Sequence, residues 1–218
     1  MSGYRQVIVI VPRASLQRID PRVISSSPGV QLRACPDYAD DYLGQQVTKL
    51  HADRFTDAET ILHLDSDQVF IAPCALPDRL FHDGCPRIAF DLRGRRPVTD
   101  GWRRCPAEFL REPIPVDLTT PLPLALPRHV YGALRKVCQR LHRRSIADYV
   151  LAGRADRFCE LALLRAYALT RESERYAWFD AARHELLPEC RTFWSRAQTP
   201  AAMASCLPPA LTTAVAGW

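Results

Sequence analysis

The sequence predicts an α/β domain built on a mainly parallel sheet flanked by helices, and three features carry that expectation. Gln6 to Val11 is an unbroken, largely β-branched run closed by Pro12, the pattern of a strand buried on both faces. Strand and helix patterns then alternate to about residue 70, as in chains that build parallel sheets. The third feature is Thr60-Ile61-Leu62-His63-Leu64-Asp65-Ser66-Asp67-Gln68-Val69-Phe70, an apolar strand running into two carboxylates spaced i, i+2.

After the first strand, Ser15 caps a short helix over 16–20, and Ser25 to Gly29 is a turn. Val30 to Ala34 reads as a second strand, ended by Pro36. Asp40 or Asp41 caps a helix to about Phe55, with Leu43, Val47, Leu50 and Arg54 along one stripe. Asp57 and Ala58 turn the chain into the Asp65/Asp67 strand. Pro73, Pro77 and Gly84 mark a loop, and Arg87 to Leu92 is a further strand. From Arg93 to Pro127 the chain is proline-rich around Trp102 and reads as irregular, either an active-site loop or a surface excursion.

Residues 128–143 form a basic helix with Val130, Leu134, Val137 and Leu141 inward and Arg135, Lys136, Arg140, Arg143 and Arg144 outward. Its charged side is read first as a solvated face and second as an anion-binding surface. A short helix follows over Ser145–Leu151, a strong one over Arg157–Ala168 and a last one over Ser173–Ala177; Cys190 to Trp194 is a late strand. No internal repeat is present. Residues 1–198 are expected to form one domain, with 199–218 as a weakly charged tail.

Composition bounds the function. With 47% hydrophobic and 24% charged residues the chain is an ordinary globular protein and not a disordered one. No apolar run approaches a membrane span, and Met1-Ser2-Gly3-Tyr4-Arg5 lacks a signal-peptide pattern, so a soluble cytoplasmic protein is expected. Cysteines 35, 74, 85, 105, 138, 159, 190 and 206 are scattered without a Cys-x-x-Cys pair, which argues against structural zinc and for reduced thiols. The net charge of +5 comes almost wholly from arginine, since Lys49 and Lys136 are the only lysines. A basic surface suits anionic partners, nucleic acid included, although this excess is modest.

Most Asp-x-Asp triplets are turn or capping carboxylates. Placed after four apolar residues, Asp65 and Asp67 instead suggest a pair that bends around one hard divalent ion, Mn²⁺ or Mg²⁺, whose shell phosphate oxygens complete. Open α/β sheets place ligands at this carboxyl end of a strand. Two enzyme classes use such a pair: nucleotide-sugar glycosyltransferases of the GT-A type and haloacid-dehalogenase-like phosphatases, whose order Asp65, Asp67, Val69 also satisfies. The phosphatase further needs a later Ser/Thr, a lysine and a second acidic pair. Downstream, the sole lysine is Lys136, and the only Asp-Asp pair, Asp40-Asp41, lies upstream.

The flanks favour the glycosyltransferase. Tyr42-Leu43-Gly44-Gln45-Gln46-Val47-Thr48-Lys49-Leu50 followed by the Asp65/Asp67 strand resembles a bacterial and viral branch of GT-A glycosyltransferases with a Gln-Gln-x-x-Lys-Leu helix before its Asp-x-Asp strand. Phe158-Cys159-Glu160-Leu161-Ala162 looks like that branch's Phe-Ser-Glu-Tyr helix, with Cys for Ser and an apolar residue for Tyr. The resemblance runs from about Val7 to Tyr167 and implies a GT-A-like, Rossmann-like fold. The first strand here looks like the family's second, so the chain is expected to be minimal or to lack the opening strand–helix unit.

The resemblance also implies roles. Asp65 would touch the donor ribose or the metal, and Asp67 would bind the metal that bridges the diphosphate. Lys49 would reach the donor phosphates, with Gln45 and Gln46 on nucleotide or sugar. Glu160 would contact the acceptor or act as general base; the competing reading is a helix-surface ion pair with Arg157 or Arg165. His129 and His184 are read as plain histidines before late metal ligands. The expected partners are a nucleotide-sugar donor, a UDP-sugar first, and a glycan or nucleic-acid acceptor, the latter suggested by the basic helix and by arginines 93, 95, 96, 103 and 104. A non-catalytic GT-A-like binding module is the alternative from another class.

Overall fold

We describe a computed structural model of the chain covering residues 4–20, 22, 29–94, 98–184 and 189–192. The expected tail at 199–218 and arginines 95 and 96 lie outside the described residues, as do most of the 25–29 turn and the end of the 190–194 strand.

Strand β1 (Val7–Pro12) runs parallel to β2 (Val30–Cys35), with Val7 opposite Val30 and Pro12 opposite Cys35. Helix α1 (Asp41–Lys49) follows, capped by the Asp40 carboxylate, which accepts from the Leu43 amide at 2.9 Å. It stops six residues before the expected end and continues as a 3-10 turn over Ala52–Arg54. Strand β3 (Thr60–His63) pairs antiparallel with β7 (Leu124–Pro127), and β4 (Gln68–Phe70) pairs antiparallel with β9 (Cys190–Thr192). Helix α2 (Leu76–Leu80) leads into β5 (Phe81–His82), which turns back into β6 (Cys85–Phe90). Strand β8 (Ala177–Asp180) lies parallel to β6.

The chain is therefore α/β, but its sheets are short and mixed: the ladders β1·β2 and β6·β8 are parallel, while β3·β7, β4·β9 and β5·β6 are antiparallel. The mainly parallel sheet expected from the alternation is met only in part. One cause is local. Asp83 (φ 49°) and Gly84 (φ 78°) are both left-handed, the backbone of a two-residue hairpin, and such a connection permits only antiparallel pairing.

The segment read as irregular from 93 to 127 holds helix α3 (Asp100–Leu110) and strand β7. Thr99 caps α3, and its buried Cys105, Phe109 and Leu110 recur at helical spacing. Prolines outweighed that signal in the sequence, yet Pro106 sits inside the helix. Helices α4 (His129–His142) and α5 (Ile146–Leu151) match their expected spans, and α6 runs over Glu160–Arg171. The expected helix at 173–177 is a single 3-10 turn over Ser173–Arg175 before β8.

One core joins α1, α3, α4, α5 and α6 to β6 and β7, through Val47, Ile88, Phe109, Leu126, Leu134, Val150 and Leu164 among others. Arg165 lies within it at 1% exposure and donates to the carbonyls of Leu118 (3.2 Å), Thr120 (2.8 Å) and Pro121 (2.8 Å). Those bonds hold the strap that delivers β7 to β3. No helix among the described residues is long and apolar enough to cross a membrane, and cysteines 35, 74, 85, 105, 138 and 159 are free thiols.

Candidate active site

Three segments converge on one lysine. Helix α1 carries Gln46 and Lys49 three residues apart, so both project from one face. Gly44 lets this helix close on Tyr38: a Cβ there would come within 2.7 Å of the Tyr38 Cβ. Helix α6 opens with Glu160 in its first turn, where a carboxylate also meets the positive end of the helix dipole. Beyond β3, the carbonyl of Asp65 accepts from the Gln68 amide at 3.1 Å, so Asp65-Ser66-Asp67-Gln68 is a tight turn. The two carboxylates therefore sit on a turn between two short strands rather than on one continuous strand. The Gln68 side chain closes that turn by accepting from the Asp65 amide at 2.8 Å.

Lys49 Nζ lies 2.5 Å from Asp65 Oδ1 and 3.1 Å from Glu160 Oε1. With its amide nitrogen facing its acceptors, Gln46 donates to Glu160 Oε2 at 3.0 Å and to the Phe158 carbonyl at 3.1 Å. Glu160 is thus bonded at both oxygens and is 6% exposed. Burial pushes the Lys49 ammonium toward its neutral form, but the charges of Glu160 and Asp65 outweigh burial and its pKa is raised. The lysine is held charged, with an acid on either side.

Asp67 differs from its neighbour. Its Oδ1 is buried and has no hydrogen-bond partner among the described residues. Burial first, and the Asp65 charge second, push its carboxyl above the ordinary range. A buried carboxylate oxygen without a donor is a destabilising element unless something else binds it. The negative charge and hardness of that oxygen suit a hard cation. Among the described residues no group of three or more His, Cys, Asp or Glu is arranged to hold a metal ion, so a cation bound by Asp65 and Asp67 would complete its shell with oxygens that are not side chains of such a group.

Of the residues expected at the site, Gln46, Lys49, Asp65 and Glu160 meet in one cluster, with Asp67 two residues from Asp65. Gln45 does not join them: one residue along the helix rotates it about 100° away from Gln46, and it is exposed. Neither Arg157 nor Arg165 is the partner of Glu160, because Lys49 has that place and Arg165 is spent on carbonyls. His129 pairs with Glu172 at 2.8 Å, and His184 is exposed. Arg135, expected on the open basic face, grips both oxygens of Asp53 at 2.7 and 2.6 Å. Arg103 is likewise committed, to Asp117 at 2.9 Å.

Two features were not anticipated. Tyr42 stacks on Trp102 with ring centroids 6.4 Å apart and planes 8° from parallel. Tyr42 feels the charges of Glu160, Lys49 and Asp65, and burial with those acids pushes its phenol up to about 12. Its position seven residues before Lys49 puts both on one helix face, a signal present in the sequence. His63, one residue before Leu64 and Asp65, is buried with Nε2 2.7 Å from the Tyr131 hydroxyl. Burial, then Lys49 and Arg165, depress its pKa to about 3 and keep the ring neutral.

Comparison of the chain with protein-family models and with curated proteins found no match to either.

Proposed function

We propose that the chain is a metal-dependent glycosyltransferase that moves a sugar from a nucleotide-sugar donor, a UDP-sugar first among the candidates, to an acceptor hydroxyl on a glycan or nucleic acid. The observation that carries this reading is the unpartnered, buried Asp67 oxygen two residues from Asp65, on the turn that follows β3. Asp65 and Asp67 would hold Mn²⁺ or Mg²⁺, which, when bound, neutralises charge on the departing diphosphate. Lys49 orients Asp65 and adds positive charge beside the leaving group. Gln46 and Glu160 fix Lys49 in that place.

This assigns Glu160 a positioning role. Both of its oxygens already accept hydrogen bonds, so taking a proton from an acceptor hydroxyl would cost it one of them. The GT-A-like architecture remains part of the proposal and rests on the sequence resemblance together with the α/β pattern. The second reading, a non-catalytic binding module, is favoured by one observation: Lys49 is already neutralised within the fold, as in a structural ion-pair network.

Thermal shift and calorimetry with UDP-, GDP- and ADP-sugars, with and without Mn²⁺, on wild type and Asp67→Ala, separate the two. A ligand that binds only the native state raises the melting temperature by mass action. A Mn²⁺-dependent shift with one donor, lost in Asp67→Ala, supports the transferase. Well-folded protein that responds to none of the donors favours the binding module.

A further inference from the structure

An open surface depression of about 570 Å³ lies at the other end of β3 from Asp65, lined by Gln6, Arg33, Arg54, Phe55, Thr56 and Arg128 among others. Gln6 precedes β1, Thr56 and Asp57 precede β3, and Arg128 follows β7, whose Pro127 lies opposite Thr60. No residue of the Lys49 cluster lines it. We propose that this depression is a second ligand site, for a small phosphorylated molecule of nucleotide size, independent of the transferase reading.

Charge and donor geometry carry the inference. Arg33, Arg54 and Arg128 are exposed on its rim, and none of the three pairs with a carboxylate among the described residues. Arg33 donates to the Gln31 side chain at 2.9 Å, and Arg128 donates to the Asp53 carbonyl at 3.2 Å, which aims each guanidinium and leaves its charge unspent. Two carboxylates line the depression, Asp53 and Asp57, but Arg135 already neutralises Asp53 through two short bonds. The lining therefore keeps a net positive charge, and arginine matches phosphate oxygens through paired N–H donors. Phe55 offers the one aromatic face in this lining, and the depression has room for a small molecule to lie against it.

Calorimetric titration of the full chain with pyrophosphate and with AMP tests this, using wild type, Asp67→Asn and the double variant Arg33→Glu/Arg54→Glu. Both arginines are exposed, and circular dichroism establishes that the double variant is folded. The expected result is saturable binding of both probes to wild type and to Asp67→Asn, with AMP the tighter, weakened at least tenfold in the arginine variant. Binding that survives in the arginine variant and disappears in Asp67→Asn would place the probes at the carboxylate site and overturn the proposal. Absence of binding to wild type would overturn it too. So would a single-stranded oligonucleotide that displaces both probes, binds far more tightly than AMP and is lost in the arginine variant, since the rim would then serve a nucleic-acid backbone.

Discussion

Lys49 and Glu160, 111 residues apart in the chain, form a buried ion pair at 3.1 Å that ties helix α1 to the first turn of α6. Truncating one partner of such a pair leaves the other charged and desolvated, at a cost of about 3–5 kcal/mol. Asp65 still compensates Lys49 in Glu160→Ala, so that change is expected to lower the unfolding free energy by about 2 kcal/mol, below that range, and it removes one of the two acceptors of the buried Gln46 amide. Removing both charges with Lys49→Met/Glu160→Met should cost clearly less than the two single changes summed. Urea unfolding of Lys49→Met, Glu160→Met and the double variant measures the coupling. Strictly additive losses would show that the two groups do not stabilise each other.

Asp67 predicts a trade between stability and metal binding. Its pKa is raised in the folded state, so protonation favours the native protein, and the metal-free chain gains stability as pH falls toward the ordinary carboxylate value of 3.8. Asp67→Asn removes the buried charge and should raise the melting temperature of metal-free protein at pH 7 while abolishing any Mn²⁺-dependent shift. In the wild type, Mn²⁺ affinity should begin to fall at a pH above that expected of an ordinary aspartate, because the ion competes with a proton held more tightly. Calorimetric titrations with Mn²⁺ between pH 4 and 7 would follow that loss; an affinity constant over this range would refute it.

Arg165 serves the fold through three backbone carbonyls. Arg165→Met leaves the carbonyls of Leu118, Thr120 and Pro121 without this donor and should destabilise by about 3 kcal/mol or more. Arg165→Lys should recover little, since an ammonium cannot span carbonyls set for a planar fork. Denaturation midpoints of both variants decide this, and full rescue by lysine would count against the geometric argument.

His63 sets part of the acid limit. The unfolded chain takes up a proton near the ordinary histidine value of 6.5, while the folded ring resists protonation down to about 3. Stability is therefore lost progressively as pH falls through that window and stops changing from this cause below it. His63→Gln keeps a polar partner for Tyr131 without the titration, and its urea midpoint should fall less steeply between pH 6.5 and 4. Parallel slopes for the two proteins would remove His63 as the cause.

The cluster was legible in outline because its members lie in short patterned stretches. Gln46 and Lys49 share a helix face by spacing alone, and Asp65 follows a short apolar run that reads as a strand. What misled the reading of 93–127 was proline, which marks loops on average but is tolerated at Pro106 inside a helix whose buried residues keep helical spacing. The antiparallel pairing of β3 escaped because its partner β7 arrives from that same stretch.

The sequence by itself determined the α/β alternation, the capped helix that carries Lys49 and the basic amphipathic helix at 129–142, all matters of local period and capping. Tertiary structure alone decided which carboxylates Lys49 meets, that Arg165 spends its charge on carbonyls, and that Asp67 keeps one oxygen buried and unpartnered. These depend on contacts between residues dozens of positions apart. Local propensity carries no information about them, and burial, which makes an unpaired charge costly, is settled only when the elements pack.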